Sequence, residues 1–176
     1  YGRNEAEQGT SHNQNPSLGE ATPNNFKSGT WISTQLTTNL DLKRTFDVGL
    51  NTPLSLAWGL EQRRDGYEVK DGDWASWADG GYCVSPTNCA SSGAQATNGI
   101  SPAETASAHR NSVATYIDVS FNPLPAWFID SGLRYEHYDQ GIGATFSGKL
   151  SMRYEFTPQL AVRGTVSNGF RPPSLA

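Results

Sequence analysis

The amino-acid sequence predicts an all-β, antiparallel fold, and more specifically a segment of a transmembrane β-barrel with about six strands. Two observations lead to this prediction. Apolar and polar residues alternate with period two in several runs, which is typical of strands with two unlike faces. Short turns also alternate with longer polar connections, as in barrels that have short periplasmic turns on one rim and long extracellular loops on the other.

The alternation is clearest near the C-terminus, over residues 146–156. The positions on one side of this run are Phe146, Gly148, Leu150, Met152, Tyr154 and Phe156. The positions on the other side are Ser147, Lys149, Ser151, Arg153 and Glu155. A second run, residues 160–167, follows after Thr157, Pro158 and Gln159, so the two runs predict a hairpin with a tight turn.

Four earlier runs complete the six expected strands, at residues 32–42, 54–61, 113–121 and 127–136. A turn is expected at residues 122–125, because Pro123 and Pro125 cannot donate to a strand ladder. Two polar stretches, residues 1–29 and residues 67–111, lack sustained periodicity and are expected to be extracellular loops.

Composition excludes some classes of protein. Hydrophobic residues make up 36%, charged residues 17%, and the mean hydropathy is -0.55. These averages suit a soluble protein, but a barrel that turns only alternate residues to lipid has similar averages. No apolar run approaches the roughly 18 residues of a membrane-spanning helix. The net charge of -4 includes no basic stripe, so nucleic acid is not an expected partner.

The two cysteines, Cys83 and Cys89, flank a short segment with a proline and an asparagine suited to a turn. A disulfide is favoured, and it would persist in an oxidising compartment such as the periplasm or the cell surface. Free thiols and a metal site are the alternatives. Two sulfurs without neighbouring histidines fall short of the four ligands of a structural zinc site.

Candidates for catalysis are few, so the chain is not expected to be an enzyme or to hold a metal or cofactor. His12, His109 and His137 form no triad and no metal-binding spacing. Asp71 and Asp73 lie in an acidic loop that lacks the final glutamate of a calcium-binding loop, so a solvated acidic loop is expected.

The polar side of the strands has two interpretations. In a barrel the charged side chains face the lumen and the apolar ones face lipid. The lumen-facing candidates are Arg134, Glu136, Arg153 and Arg163. The alternative is a secreted β-sandwich that binds carbohydrate or another ligand, in which the same charged face is solvated and the apolar faces meet in one core.

A resemblance to a known family favours the barrel. Residues 167–175, Ser-Asn-Gly-Phe-Arg-Pro-Pro-Ser-Leu, resemble the Gly-Phe-Arg-Ala-Pro-Ser-Leu signature in the barrel of TonB-dependent receptors, with Pro172 in place of the commoner alanine. The motif positions are Gly169, Phe170, Arg171, Pro172, Pro173 and Ser174. Residues 53–67, with Gly-Leu-Glu-Gln-Arg, residues 132–138 and the strand at residues 149–156 are also similar to the family's strands.

The resemblance implies a barrel of about 22 strands that is plugged by an N-terminal domain. Residues 1–176 are then expected to be an internal barrel segment that lacks the plug and its TonB-contacting segment. The resemblance implies a receptor in the cell outer membrane that imports a scarce nutrient, such as an iron–siderophore or another large solute. Its implied partners are outer-membrane lipid, the nutrient, and TonB through the plug.

The signature also carries an expectation for its arginine. Pro172 and Pro173 are expected to end the strand ladder, because proline has no N–H to donate. Arg171 is expected near the extracellular mouth, where its guanidinium would hold carboxylates or loop carbonyls in a structural role rather than contact substrate.

Overall fold

A computed structural model describes residues 1–175 of the protein. In chain order the strands are β1 (Gly2–Ser11), β2 (Asn25–Phe46), β3 (Leu54–Lys70), β4 (Cys83–Ser85), β5 (Asn88–Cys89), β6 (Ala106–Leu124), β7 (Trp127–Tyr138), β8 (Gly143–Thr157) and β9 (Leu160–Ser167). One short helix, α1, spans Trp74–Trp77, and 3-10 turns lie at Pro16–Ala21 and Pro102–Glu104. None of the helices in the described chain is long and apolar enough to cross a membrane.

The all-β antiparallel fold is confirmed. Seven strands form one sheet in the order β1-β2-β3-β6-β7-β8-β9, so each strand lies beside its neighbour along the chain. β1 pairs with β2 in antiparallel orientation, and so do the successive strands from β6 to β9. β4 and β5 form a separate two-stranded sheet inside the connection between β3 and β6.

The structure differs from the sequence-based expectation in three places. The sheet has seven strands rather than about six, because β1 pairs with β2 although its residues show no apolar face. β6 continues to Leu124, inside the turn expected at residues 122–125, with a register shift between Phe121 and Leu124 that accommodates Pro123, so the turn consists of Pro125 and Ala126 only. The connection between β3 and β6 is shorter than the expected residues 67–111, since β3 ends at Lys70 and β6 begins at Ala106.

The hairpin predicted near the C-terminus is confirmed. β8 ends at Thr157 and β9 begins at Leu160, so only Pro158 and Gln159 lie between them. The Thr157 hydroxyl accepts a hydrogen bond from the Leu160 N–H at 3.0 Å. The register pairs Leu150 with Val166 and Tyr154 with Val162, which puts apolar residues of both strands on one face.

The chain divides into two compact units, and β2, β3 and β6 contribute residues to both. The loop unit consists of Tyr1–Gln35 and Asp65–His109, with Leu175. The sheet unit consists of Leu36–Arg64 and Arg110–Ser174.

The loop unit has a small core that is partly polar. Phe26, Ala75 and Ala94 form its apolar cluster, with Leu18 packed against it. Beside it, Asn15, Ser17 and Ser76 have no exposed surface. Buried polar groups are costly unless they are hydrogen-bonded, so this core depends on its partners.

Asn15 provides most of those partners. Its side-chain amide donates to the carbonyl oxygens of Ala75 at 2.9 Å and Ala78 at 2.8 Å. Its side-chain oxygen accepts from the Ser17 N–H at 3.1 Å and from the Ser17 hydroxyl at 2.7 Å. We call residues 71–105, between β3 and β6, the insert. One asparagine therefore connects the segment before β2 with the insert.

The insert is also hydrogen-bonded to the start of β2. Asp73 donates its N–H to the Lys27 carbonyl at 2.7 Å and accepts the Lys27 N–H on its carboxylate at 2.8 Å. The Ile100 N–H donates to the Ser28 carbonyl at 2.7 Å. A side chain at Gly72 would lie 2.5 Å from the Lys27 and Ser28 carbonyl oxygens, so only glycine permits this close approach.

A capping box closes the last turn of the insert. The Ser101 N–H and hydroxyl both donate to the Glu104 carboxylate at 2.9 Å, and they hold the pKa of Glu104 below its usual value. The stabilisation belongs to the charged form and is lost as the pH falls through the lowered pKa.

Candidate functional site

The sheet unit has two unlike faces. Residues directly opposite each other in an antiparallel pair lie on the same face, so the strand registers define both faces. The apolar face carries Trp58, Ile117, Leu133, Phe146, Leu150 and Val162, and all six of these side chains are at least one-third exposed. The polar face carries Glu61, Tyr116, Asp118, Asp130, Arg134, Glu136, Lys149, Ser151, Arg153 and Arg163.

An ion-pair network runs across three strands of the polar face. Arg134 on β7 donates to Glu136 on the same strand at 2.8 Å and to Glu61 on β3 at 3.0 Å. Glu61 also accepts from Arg63 at 2.8 Å. The Glu61 and Glu136 side chains are largely buried, with exposures of 15% and 13%. Of the predicted lumen-facing candidates, Arg134 and Glu136 are thus in direct contact.

A tyrosine covers a glycine beside this network. The ring of Tyr116 on β6 lies over Gly59 on β3, where a methyl group would collide with it. The Tyr116 hydroxyl donates to the Asp41 carboxylate on β2 at 2.7 Å. The missing side chain of Gly59 therefore makes room for a ring that connects three strands.

The other two candidates lie further along the sheet. Arg153 and Arg163 are directly opposite each other on β8 and β9, and Arg153 pairs with Glu155 at 2.6 Å. Within residues 1–175 Arg163 makes no ion pair or side-chain hydrogen bond. Lys149 on β8 pairs with Asp130 on β7 at 2.5 Å. A shallow pocket of about 210 Å³ opens nearby and is lined in part by Tyr116, Asp118, Arg134, Ser147, Lys149 and Asn168.

The family-motif residues follow β9 and contact the polar face. β9 ends at Ser167, earlier than the expected stop at Pro172 and Pro173, because the side chain of Asn168 forms hydrogen bonds with backbone groups of β8. Its side-chain oxygen accepts the Gly148 N–H at 2.7 Å, and its amide donates to the Phe146 carbonyl at 3.0 Å. The side chain of Phe170 then contacts Tyr138 on β7, with ring centroids 6.0 Å apart.

An arginine that the sequence patterns did not single out holds the end of the motif. Arg110 on β6 is 8% exposed, and its guanidinium donates to the Pro173 carbonyl at 2.6 Å. The same guanidinium lies 5.8 Å from the centroid of the Tyr138 ring. Among the residues that the structure describes, Arg171 makes no ion pair or hydrogen bond, so the carboxylate contact expected for it is not made there.

The disulfide between Cys83 and Cys89 is present. It joins β4 to β5, where the two cysteines are paired in register. Every residue from Gly81 to Cys89 is exposed, so the bond stabilises a hairpin that has little packing of its own.

The acidic loop around Asp71 and Asp73 shows no joint site for a metal ion. Asp73 accepts from Lys27, and Asp79 accepts from the Gly81 N–H at 2.9 Å. Over residues 1–175, no group of three or more histidine, cysteine, aspartate or glutamate side chains is placed to hold a metal ion.

Sequence reasoning missed Glu61, Tyr116, Asp41, Asn15 and Arg110 as site residues. The alternation puts Glu61 on the same side of its strand as Gly59, but it does not say which residue of β7 lies beside it. Asn15 and Arg110 lie outside every sustained run, so no periodic signal marks them.

The exposed apolar face and the hydrogen-bonded polar face define the class of protein. A sandwich would cover its apolar face with a second sheet, whereas the wall of a membrane β-barrel leaves that face to lipid. A family model described as the TonB dependent receptor-like β-barrel matches residues 1–176. The chain therefore belongs to the TonB-dependent receptors, a family of outer-membrane transporters. Comparisons with curated proteins and with solved structures found no match.

Proposed function

We propose that the sheet unit is part of the barrel wall of an outer-membrane receptor that imports a scarce nutrient, such as an iron–siderophore or another large solute. The observation that carries the proposal is the pair of unlike faces on one antiparallel sheet. In this arrangement the apolar face contacts outer-membrane lipid and the polar face lines the lumen. TonB would act through the plug domain of the whole receptor.

The exposure of the apolar face supports lipid contact. Leu150 is 44% exposed and Val162 is 57% exposed, although both lie within paired strands. Burying one such side chain in an apolar medium is worth about 1.5–3 kcal/mol, so a face of this kind needs an apolar environment. The alternative, a secreted β-sandwich module, would bury these side chains in a core.

The polar face supports a lumen in which no reaction occurs. Most of its charges lie in ion pairs within and between strands, as in the network of Glu61, Arg134 and Glu136. These side chains are held by one another, so they are suited to line a passage. In transport these side chains would bind and release a solute without covalent change.

The loop unit is proposed to be extracellular and to contact the solute first. It corresponds to the two long polar stretches of the sequence, and its disulfide would persist at the cell surface. Mass spectrometry of unreduced peptides from exported receptor should show Cys83 joined to Cys89.

Lipid contact is tested with spin labels in the full-length receptor. Labels at Leu150 and Val162 should be quenched by relaxation agents dissolved in the bilayer. Labels at Ser151 and Ala161, the matched positions on the polar face, should respond to water-soluble agents instead. Protection of Leu150 and Val162 from the lipid-phase agents would overturn the barrel assignment.

Import is tested separately. A strain that lacks the receptor gene should lose growth or uptake on one member of a panel of scarce nutrients, including iron chelates. Reintroducing the wild-type gene should restore that uptake. The panel should contain nutrients that no other receptor of the same strain imports. Unchanged growth and uptake on all of them would count against transport.

A further inference from the structure

The segment that follows β9 reaches across the sheet. We call residues 168–174 the strap. In the sheet order β6-β7-β8-β9, the strap leaves β9, contacts β7 through Phe170 and contacts β6 through Pro173. The strap and the residues that it contacts all belong to the sheet unit.

The strap leaves the ladder at a defined point. The Asn168 N–H donates to the Gly148 carbonyl at 3.0 Å, and its side chain satisfies two further backbone groups of β8. Asn168 therefore ends the pairing without leaving those groups of β8 unsatisfied. The chain beyond it no longer continues the β-ladder and extends over the neighbouring strands.

Two buried side chains fasten the far end of the strap. Tyr138 is 6% exposed and Arg110 is 8% exposed, and both lie on the polar face, since Tyr138 continues the side of β7 that carries Arg134 and Glu136. Arg110 contacts the Tyr138 ring and the Pro173 carbonyl at the same time. A planar guanidinium can stack on a ring and donate along its edge, whereas an ammonium is a compact point charge that fits this pair of contacts poorly.

The strap carries one arginine whose charge is not matched nearby. On the polar face Arg134, Lys149 and Arg153 each contact a carboxylate, whereas Arg163 on β9 has no carboxylate partner within residues 1–175. The sheet unit as a whole holds ten basic and eight acidic residues. Arg171 is exposed and, among residues 1–175, has no acidic partner.

From this arrangement we infer that the strap lies over the lumen wall, fastened by Arg110, and presents Arg171 to an acidic side chain of a receptor segment that occupies the lumen outside residues 1–175. The inference rests on the proposed barrel, because the polar face must be its inside. It makes Arg110 a positioning residue and Arg171 the residue that contacts the partner. An aspartate or glutamate fits this role because a carboxylate matches the forked donors of a guanidinium.

The position of the strap is tested by cross-linking in the full-length receptor with Cys83→Ser and Cys89→Ser. Phe170→Cys combined with Tyr138→Cys should be joined by a short bis-maleimide, because the two rings are in contact and a reagent of this length spans the space that they occupy. Phe170→Cys combined with Tyr135→Cys, on the opposite face of β7, should not. Equal cross-linking of both pairs would overturn the strap. The absence of a cross-link with Tyr138→Cys would also overturn it, provided that the barrel is folded, as reported by normal heat-modified mobility on a gel.

The role of Arg110 is tested in the same background. Arg110→Lys should abolish most of the cross-link between positions 170 and 138. Arg153→Lys, a matched change on the polar face that does not touch the strap, should leave it unchanged. An undiminished cross-link in the folded Arg110→Lys receptor would remove Arg110 as the fastening residue.

The partner of Arg171 is tested with Arg171→Lys and a carbodiimide, which joins an amine to a carboxylate that touches it. Peptide mass spectrometry should find the introduced amine joined to an aspartate or glutamate outside residues 1–175. Arg44→Lys, treated in the same way, reports background coupling. Coupling only within residues 1–175, or no coupling above that background, would overturn the partner assignment. The spin-label and uptake tests above are independent of this result.

Discussion

The two units of the chain are stabilised in opposite ways. The loop unit turns polar side chains inward: Asn15, Ser17 and Ser76 are its most buried residues, and it holds nine acidic residues against three basic ones. The sheet unit turns apolar side chains outward and pairs its charges on the other face. The contrast indicates a water environment for the loop unit and an apolar environment against one face of the sheet unit. Single substitutions should therefore destabilise one unit and leave the other unchanged.

The largest effect is expected from Asn15→Ala in the loop unit. The change removes the partner of the Ala75 carbonyl and of the Ser17 N–H, at a cost of about 1–3 kcal/mol for each unsatisfied group, whereas the Ala78 carbonyl and the Ser17 hydroxyl keep other partners. Limited proteolysis of intact receptor should cut within residues 71–105 much faster than in wild type. Heat-modified mobility, which reports the barrel, should stay normal.

Asn25→Ala is the matched control for this prediction, because Asn25 is exposed and its side chain contributes no such bonds. Its proteolysis rate should equal that of wild type. Unchanged proteolysis of Asn15→Ala would show that the insert does not depend on this asparagine.

The second prediction concerns the apolar face of the sheet unit. Leu150→Arg should cost roughly 2–4 kcal/mol, the penalty for arginine on a lipid-facing strand near the bilayer midplane. Assembly, measured by heat-modified mobility and by the amount of receptor in the outer membrane, should fall. Ser151→Arg, one residue along on the polar face and opposite Asp130, should assemble well. Equal tolerance of both changes would remove the contrast between the faces.

The third prediction tests how the polar face is packed. Gly59→Ala should displace the Tyr116 ring and weaken its hydrogen bond to Asp41, at a cost of about 1–3 kcal/mol for overpacking. Gly164→Ala is the control, because nothing lies within 4 Å of an added methyl group there. The midpoint of thermal unfolding of purified receptor should fall only for Gly59→Ala. A similar midpoint for both variants would mean that Tyr116 can move aside freely.

The smallest effect is expected at the disulfide. Cys83→Ser with Cys89→Ser removes a constraint on a short loop, worth about 2 kcal/mol at most in the chain-entropy model. Because the hairpin is exposed, the loss should be confined to it and should appear as faster cleavage at residues 84–88. Faster cleavage throughout the loop unit would show instead that the hairpin supports the core around Asn15.

The sequence predicted much of the sheet unit, because a strand with two unlike environments must alternate. The run from Phe146 to Phe156 predicted β8 and its faces, and the Thr157–Gln159 turn predicted β9. β1 was missed because both of its sides are polar and exposed, so pairing alone makes it a strand. Pro123 suggested a turn, but a register shift let β6 continue past it.

By itself the sequence predicted the fold class and the two faces, favoured the disulfide and indicated the family, because each depends on residues that are close along the chain. Only the tertiary structure decided which residues that are distant in the sequence come into contact. Glu61 contacts Arg134 through the order and register of the strands, and Asn15 contacts Ala75 and Ala78 from sixty or more residues away. Arg110 holds Pro173 in the same way. Such contacts join positions with no periodic relation, and they form because buried polar groups must find partners wherever the fold brings them.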